Sequence, residues 1–252
     1  MTASEHLVRK DYGEGIMGIE LNRGPVNALS PAFLMGMADM LAGMEQDDSV
    51  RAVVLSSPFK VFSAGLDLKE AQDYDLAQQH AIVEALNVAF LALFAFPKPV
   101  VAAVGGAALA GGLFYVLGSD VRVAGPRASF GLAEVRVGVD FPAPTMEIAR
   151  ATLGPNTLRR LMQTGQPIDV KQAMAEGIVD VLEEDSGIVL DRALAEARAL
   201  ADIPSIAYAS VKRQVRQPAI TACEAAIAQG ANAPEGGWFN VQTRDAMRRM
   251  IG

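Results

Sequence analysis

The chain has 252 residues, of which 51% are hydrophobic and 20% charged, so it can bury a substantial core in one large domain or slightly more. Its formal net charge of −7 argues against a general nucleic-acid-binding protein, and its single cysteine, Cys223, excludes an intrachain disulfide. Two histidines, His6 and His80, are too few to favour a zinc centre or Ser-His-Asp chemistry. The N-terminal residues show no apolar signal segment, so we expect a cytoplasmic protein.

Apolar strands and helices alternate over the first half of the chain. Strands are predicted at 15–21, 51–57, 99–104 and 120–125. A helix is predicted over 32–44, because Ser30 can cap it and Pro31 suits its first position. Another is predicted over 76–96, ending before Pro97. This alternation indicates an α/β architecture with largely buried strands.

An uncharged run extends from Lys98 to Asp120 and is long enough to span a bilayer. It is interrupted by Pro99, Gly105, Gly106, Gly111, Gly112 and Gly118. A strand, a turn and a buried helix explain such a run better than a membrane segment does. We therefore expect no membrane association.

The pattern after residue 143 is mainly helical, with little strand character. Helices are predicted at 145–154, 156–163, 169–177 with Asp169 as cap, 190–202, 206–216 and 220–231. The final stretch, 236–252, is amphipathic. Two arrangements fit this region: an appendage that packs on a neighbouring subunit, or a helical layer on the core of the same chain.

Small residues lie at two predicted junctions between a strand and a helix. Gly106 to Gly111 have the glycine spacing of a phosphate loop, but Gly112 and Leu113 stand where that loop needs Lys and Ser or Thr. The second junction holds Ala64-Gly65. Amides at the start of a helix lack internal partners, and two of them could hold a carbonyl oxygen that becomes an oxyanion. Tight turns and close packing are the alternative explanation of both sites.

Six sequence blocks follow one another along nearly the whole chain. They are PVNALS (25–30), FSAGLDL (62–68), KPVVAAVGGAALAGG (98–112), SDVRVAG (119–125), SFGLAEVRVG (129–138) and AMAEGIVDVL (173–182). In this order and spacing they resemble the crotonase, or enoyl-CoA hydratase/isomerase, superfamily. No single block would be specific, but six in order are.

The resemblance implies an α/β fold, a ClpP-like spiral of repeated ββα units followed by a helical region that supports trimers. We accordingly expect a spiral core over 1–195 and a helical oligomerisation region over 196–252, in a homotrimer or a dimer of trimers. The expected ligand is an acyl-CoA thioester. Coenzyme A would be present as part of the substrate, with no separate cofactor, no metal ion and no nucleic acid.

The resemblance also assigns roles to individual residues. The thioester oxygen would lie between the backbone amides of Ala64 and Gly111. Residues expected to contact the CoA or acyl group are Val26, Ala28, Gly65, Leu66, Asp67, Leu68, Phe114, Phe141 and Lys212. For Lys212 the contact would be a CoA phosphate, although an ordinary solvated helix lysine explains this residue equally well.

The number of carboxylates at the site is expected to decide the reaction. Hydratases of the superfamily use two glutamates, and here Phe114 stands at the first position and Glu134 at the second. Adding water needs two groups around one water, whereas one base can move a double bond by taking a proton from C2 and returning it at C4. Mitochondrial-type Δ3,Δ2-enoyl-CoA isomerases likewise keep only the later glutamate. We expect conversion of 3-enoyl-CoA to 2-enoyl-CoA, with Glu134 as proton shuttle in apolar surroundings that include Phe114, Val139 and Phe141.

Other activities stay open at this level. Asp140 could supply a second acid, which would favour a hydratase or another reaction of the superfamily such as thioester hydrolysis; a solvated loop aspartate is the alternative. A non-catalytic CoA-binding or RNA-associated interaction protein is a third interpretation. The intact FSAGLDL block, Gly111 and Glu134 argue against it.

Overall fold

The strands and helices of the chain follow the predicted alternation in its first half. The computed structural model describes residues 6–251. Its strands are β1 Leu7–Asp11, β2 Ile16–Leu21, β3 Ala28–Leu29, β4 Ala52–Ser56, β5 Val61–Ser63, β6 Gly65–Leu66, β7 Val100–Val104, β8 Ala107–Leu109, β9 Val121–Ala124, β10 Ser129–Gly131, β11 Ile168–Asp169 and β12 Val181–Leu182. Its α-helices are α1 Pro31–Gln46, α2 Leu68–Ala71, α3 Leu76–Ala95, α4 Gly111–Leu117, α5 Ala143–Thr152, α6 Pro155–Thr164, α7 Val170–Ala175, α8 Val189–Ala201, α9 Ser205–Ala228 and α10 Thr243–Ile251.

The main sheet has six strands in the order β1-β2-β4-β7-β9-β12. The hairpin β1–β2 is antiparallel and the other pairs are parallel. Every residue of β4 and β7 is buried, because both faces of these strands are covered. On one face Val53 and Leu55 join the main core with α1 and α3, and on the other Ala52 and Val54 pack against α8.

Two smaller sheets carry the segments that matter for the site. One has the order β11-β10-β8-β5, and the other is the parallel pair β3–β6. In that pair Ala28 lies opposite Gly65 and Leu29 opposite Leu66. The two blocks PVNALS and FSAGLDL are therefore neighbours in space.

Helix α1 begins as predicted. The Ser30 side chain accepts a hydrogen bond from the amide of Phe33, and Pro31 is the first helical residue.

The uncharged run between Lys98 and Asp120 forms β7, β8 and α4 in succession. This is the expected strand, turn and helix, with β8 as an additional short strand. Among the described helices, α3 has the length and apolar composition that could cross a membrane. In the structure α3 packs against α1, α5 and α9, and Ile82, Phe90 and Leu93 are buried in the main core.

The C-terminal third is mainly helical, as predicted, although it also holds the short strand β12. The segments 206–216 and 220–231 belong largely to one helix, α9, which continues through Pro218. The predicted domain boundary after residue 195 lies inside α8, and α8 packs on the main sheet as part of the core.

Candidate active site

An apolar cavity of about 130 Å³ lies where α3, α4 and the segment after β10 meet. It is lined by Ala64, Leu66, Leu68, Leu86, Phe90, Leu109, Ala110, Gly111, Phe114, Ala133, Glu134, Val137, Val139, Pro142, Thr145, Trp238 and Met250. Of these described lining residues, Glu134 alone has an ionisable side chain. Among residues 6–251, no group of three or more His, Cys, Asp or Glu side chains could hold a metal ion.

Glu134 begins a short 3-10 helix, Glu134–Val137, that follows β10. It is 8% exposed, and its Oε2 has no hydrogen-bond partner among the described residues. Burial raises the pKa of Glu134 to about 8, and a hydrogen bond from its own backbone offsets this increase only in part. A carboxyl group with this pKa can both take and return a proton near neutral pH.

The start of α4 presents an unpaired amide. Ala110 has the unusual backbone angles φ 48° and ψ −129°, and its own amide donates to the Gly131 carbonyl at 2.7 Å. Gly111 is the first residue of α4, and within residues 6–251 its amide donates to no acceptor. Because Gly111 also lines the cavity, its amide is available to a bound oxygen.

The expected role of the Ala64 amide is wrong. This amide donates to the Val26 carbonyl at 2.9 Å, so it is not free to hold a ligand. Leu29, the partner of Leu66 in the β3–β6 pair, accepts from the amide of Asp67 at 2.9 Å. In a parallel pair, a residue bonds to the two neighbours of the residue opposite it and not to that residue itself. Leu29 therefore bonds to residues on either side of Leu66, and the Leu66 amide points away from β3. Leu66 and Ala64 both line the cavity.

The two strand-helix junctions are in direct contact. Gly65 has φ +81°, a conformation that favours glycine. A methyl group added to Gly65 would lie 2.7 Å from the Cβ of Ala110. The junction at Gly65-Leu66 and the one at Ala110-Gly111 therefore form one continuous surface.

Phe114 lies one turn into α4 and is 2% exposed. Its ring centroid is 5.2 Å from that of Phe90, and Phe90 makes an edge contact with Tyr115 at 5.3 Å. Phe114 lines the cavity as expected, and it brings no titratable group to it. Of the other apolar residues expected near Glu134, Val139 lines the cavity, whereas Phe141 packs on the main core and does not line it.

Asp140 does not reach the cavity. Its side chain is exposed, and it is its backbone carbonyl that faces inward, accepting a hydrogen bond from Trp238 Nε1 at 3.1 Å. The interpretation of Asp140 as a second acid is therefore wrong, and the alternative of a solvated loop aspartate agrees with the structure.

Several lining residues were missed from the sequence. Leu86 and Phe90 come from α3, Thr145 from α5, and Trp238 and Met250 from the chain after α9. The apolar periodicity of 76–96 predicts a buried helix but does not say which side chains meet a ligand. Trp238 is the single tryptophan of the chain, and that large aromatic side chain was the one sequence feature that could have suggested a contact with the ligand.

The sequence model described as enoyl-CoA hydratase/isomerase matches residues 11–235. The chain belongs to this family. It is 32% identical over 228 residues to the 2,3-dehydroadipyl-CoA hydratase of Escherichia coli K12, covering 90% of this chain and 87% of the relative. The solved structure of human mitochondrial delta3-delta2-enoyl-CoA isomerase is similar with a TM-score of 0.85 at 26% identity, covering 98% of this chain and 96% of that one. An enoyl-CoA hydratase from Mycobacterium marinum gives 0.82 at 27% identity, covering 90% and 98%.

The expected α/β crotonase fold is confirmed, and the chain is an enzyme of the enoyl-CoA hydratase/isomerase family. An acyl-CoA thioester is the substrate consistent with that family. Hydratases and an isomerase are both among the relatives, so the choice between these reactions depends on the site.

Within this family fold, the residues expected at the CoA contact fall into two groups. Leu66 and Leu68 line the cavity, whereas Val26, Ala28, Gly65 and Asp67 do not. The latter four lie beside it along the β3–β6 pair, where the Asp67 carboxylate contacts Arg23 at 2.8 Å. These positions stay candidates for contact with the part of CoA outside the cavity.

Lys212 is placed where it cannot serve as expected. Its side chain is 6% exposed, and its Nζ contacts Asp120 Oδ2 at 2.6 Å and donates to the Lys98 carbonyl at 3.0 Å. Arg216 contacts the other oxygen of Asp120 at 2.8 Å. Lys212 therefore belongs to a buried ion-pair cluster, and neither a CoA phosphate contact nor a solvated lysine describes it.

Proposed function

We propose that this member of the enoyl-CoA hydratase/isomerase family converts 3-enoyl-CoA to 2-enoyl-CoA, with Glu134 as the proton shuttle. The observation that carries the proposal is that Glu134 is the single ionisable side chain among the described residues of the cavity. One base is sufficient for moving a double bond, because the proton that leaves C2 is returned at C4 by the same group.

The intermediate of this reaction is a dienolate with negative charge on the thioester oxygen. We assign the amides of Gly111 and Leu66 to that oxygen, because Gly111 has an unpaired amide and the Leu66 amide points away from β3. Two donors fixed by the backbone stabilise developing charge without having to reorient. Ionised Glu134 forms this dienolate by taking the C2 proton, and its raised pKa supports the return of that proton at C4.

Addition of water is the competing reaction, since several relatives are named hydratases. It requires a second acid or base to work with Glu134 on one water. Phe114 occupies the position of the first glutamate, and the Asp140 side chain is exposed. The described cavity therefore favours isomerisation.

The test is to give purified protein a 3-enoyl-CoA and a 2-enoyl-CoA in separate assays. From the 3-enoyl-CoA we expect formation of the conjugated 2-enoyl ester, which is detected by its absorbance. From the 2-enoyl-CoA we expect little formation of the 3-hydroxyacyl ester. Rapid hydration of the 2-enoyl ester without isomerisation of the 3-enoyl ester would contradict the proposal. Tight binding of acyl-CoA without turnover of either ester would instead favour a non-catalytic protein.

We also propose a homotrimer or a dimer of trimers. Helix α9 leaves Ile206, Val211 and Val215 exposed to solvent, which is typical of a surface that a second copy covers. Light scattering coupled to size exclusion gives the mass directly, and a monomer at micromolar concentration would contradict this assignment.

A further inference from the structure

The wall of the cavity limits which acyl groups fit inside it. We propose that the cavity selects short acyl groups without a charged end, and that Trp238 and Met250 set this limit. Both belong to the C-terminal segment, which we define as residues 238–251. The inference rests on the proposed function in one respect, namely that the cavity beside Glu134 holds the acyl group.

The size of the cavity supports a short acyl group. Its volume is about 130 Å³. An apolar protein cavity of about 150 Å³ is filled by a benzene molecule, which has six carbons. An acyl chain of about that size would fill the space, and a much longer chain would extend beyond it.

The chemistry of the wall excludes a charged end. The lining residues include no Lys, Arg or His, and besides Glu134 only Thr145 and Trp238 have polar side-chain atoms. Thr145 Oγ1 donates to the Pro142 carbonyl at 2.7 Å and Trp238 Nε1 donates to the Asp140 carbonyl, so both donors are engaged. A carboxylate on the acyl chain would be buried with no cation among the described lining residues to pair with, which is unfavourable.

Trp238 is held rigidly in the wall. The Oε1 atom of Gln79, a buried residue of α3, accepts hydrogen bonds from the amides of Trp238 and Phe239, each at 3.0 Å. The indole Nε1 of Trp238 donates to the Asp140 carbonyl. Because the Trp238 backbone and its indole Nε1 are both hydrogen-bonded, the ring can turn aside for a longer chain only by losing the bond to Asp140.

Met250 forms a thin part of the wall. It lines the cavity, and yet the residue is 48% exposed, so one side chain separates the cavity from solvent there. The helix that carries it, α10, is anchored by Thr243, whose Oγ1 donates to the Gly138 carbonyl at 2.7 Å, and by Arg244, which donates to the carbonyls of Gln72 and Tyr74. Shortening Met250 should therefore open the cavity without releasing the helix.

The experiment measures binding of three saturated thioesters that cannot react: hexanoyl-CoA, adipyl-CoA and dodecanoyl-CoA, by isothermal titration calorimetry with the full chain. Adipyl-CoA has the same six carbons as hexanoyl-CoA but ends in a carboxylate. We expect hexanoyl-CoA to bind at least tenfold more tightly than each of the other two. A preference of less than tenfold over either of them would overturn the inference.

Substitutions of Met250 test the role of the C-terminal segment. Met250→Ala should improve dodecanoyl-CoA binding relative to hexanoyl-CoA at least fivefold, and Met250→Arg should improve adipyl-CoA binding relative to hexanoyl-CoA by a similar factor. Met174→Ala is the matched control, because Met174 is also a partly exposed methionine on a helix but does not line the cavity. Unchanged affinity ratios in both Met250 variants would overturn the assignment of Met250.

The outcome is separable from that of the proposed function. Selective binding of hexanoyl-CoA by a protein that does not isomerise 3-hexenoyl-CoA would remove the isomerase assignment and leave this inference standing. An active isomerase that binds adipyl-CoA as tightly as hexanoyl-CoA would contradict this inference and leave the isomerase assignment standing.

Discussion

Gly65 and Gly111 are in contact: a methyl group added to the Cα of Gly65 would lie 3.1 Å from the amide nitrogen of Gly111. It would also lie 2.9 Å from the Leu109 carbonyl oxygen. The backbone that carries the unpaired Gly111 amide is thus packed directly on the backbone that turns at Gly65. No side chain can be placed between them without moving one of the two proposed donors.

The substitution Gly65→Ala should therefore damage catalysis as well as stability. The positive φ of Gly65 costs an alanine about 1–2 kcal/mol, and the added methyl group must push the Gly111 amide out of position. We expect kcat/KM to fall by at least about tenfold, since loss of one oxyanion donor costs roughly 10²–10³ in kcat. Steady-state kinetics with 3-enoyl-CoA measure this effect.

Gly13→Ala is the matched control for that substitution. Gly13 has φ +78°, and nothing lies within 4 Å of an added methyl group. It should reproduce the backbone strain and leave kcat/KM within about twofold of the original value. Equal kinetics for both variants would show that the contact between Gly65 and Gly111 has no role in the reaction.

Glu134→Gln should remove the isomerase activity while keeping the shape of the site. General acid–base catalysis contributes about 10²–10⁴-fold, so we expect a loss in kcat of this order and nearly unchanged affinity for hexanoyl-CoA. In the unsubstituted protein, kcat/KM should rise with pH and level off above about 8, because Glu134 must be ionised to accept the C2 proton and burial raises its pKa to about 8.

Asp140→Asn serves as the control for Glu134→Gln, since it removes a carboxylate that lies close in sequence but is exposed. We expect turnover within about twofold of the original. A loss of more than tenfold would return Asp140 to the reaction and favour hydration over isomerisation.

The same glutamate should make stability depend on pH. The pKa of Glu134 rises from an ordinary value of 4.5 to about 8 on folding. Between these values the folded protein binds this proton more completely than the unfolded chain, so the free energy of unfolding falls as pH rises, by up to about 1.4 kcal/mol per pH unit. Below pH 4.5 both states are protonated and the effect vanishes.

Urea denaturation of the protein and of Glu134→Gln at pH 5, 6, 7 and 8 measures this effect. With each increase in pH, the free energy of unfolding of the unsubstituted protein should fall relative to that of Glu134→Gln. A constant difference between the two proteins over this range would show that the carboxyl group titrates normally in the folded state.

Lys212→Met should affect stability and not the affinity for CoA. Its ammonium group pairs with the buried carboxylate of Asp120, and the loss of one partner of a buried polar group costs about 1–3 kcal/mol. Arg213→Met is the control, because Arg213 is the exposed neighbour on the same helix. Denaturation curves and calorimetry with free CoA distinguish the two roles; a tenfold weaker affinity for CoA in Lys212→Met alone would restore the phosphate contact.

Much of the fold could be predicted because its elements carry strong local signals. The Ser30-Pro31 start of α1 and the apolar runs that become β4 and β7 are examples. The short strands β3, β6, β11 and β12 have two residues each, too few for any periodicity to show. Helix α9 continues through Pro218 although a proline removes one backbone donor, so tertiary packing overrode the local signal there.

The site shows the same division between local and long-range information. Glu134, Gly111 and Phe114 were identified by motif and line the cavity. The choice of Ala64 over Leu66 failed because the direction of an amide depends on the strand beside it and on the positive φ of Gly65. The sequence does not show whether a charged side chain can reach the ligand. Lys212 is buried in an ion pair with Asp120, and the Asp140 side chain faces solvent, so neither takes the role that was considered for it.

The packing of Phe114 has a consequence for how easily this scaffold can change its chemistry. The ring is 2% exposed and rests on Phe90 at a centroid distance of 5.2 Å. Replacing it by the glutamate of a hydratase would leave a void beside Phe90 and bring a second negative charge into a cavity that offers it no cation. The substitution Phe114→Glu alone should therefore destabilise the protein, and a stable two-acid site on this scaffold would also need changes in the neighbouring rings.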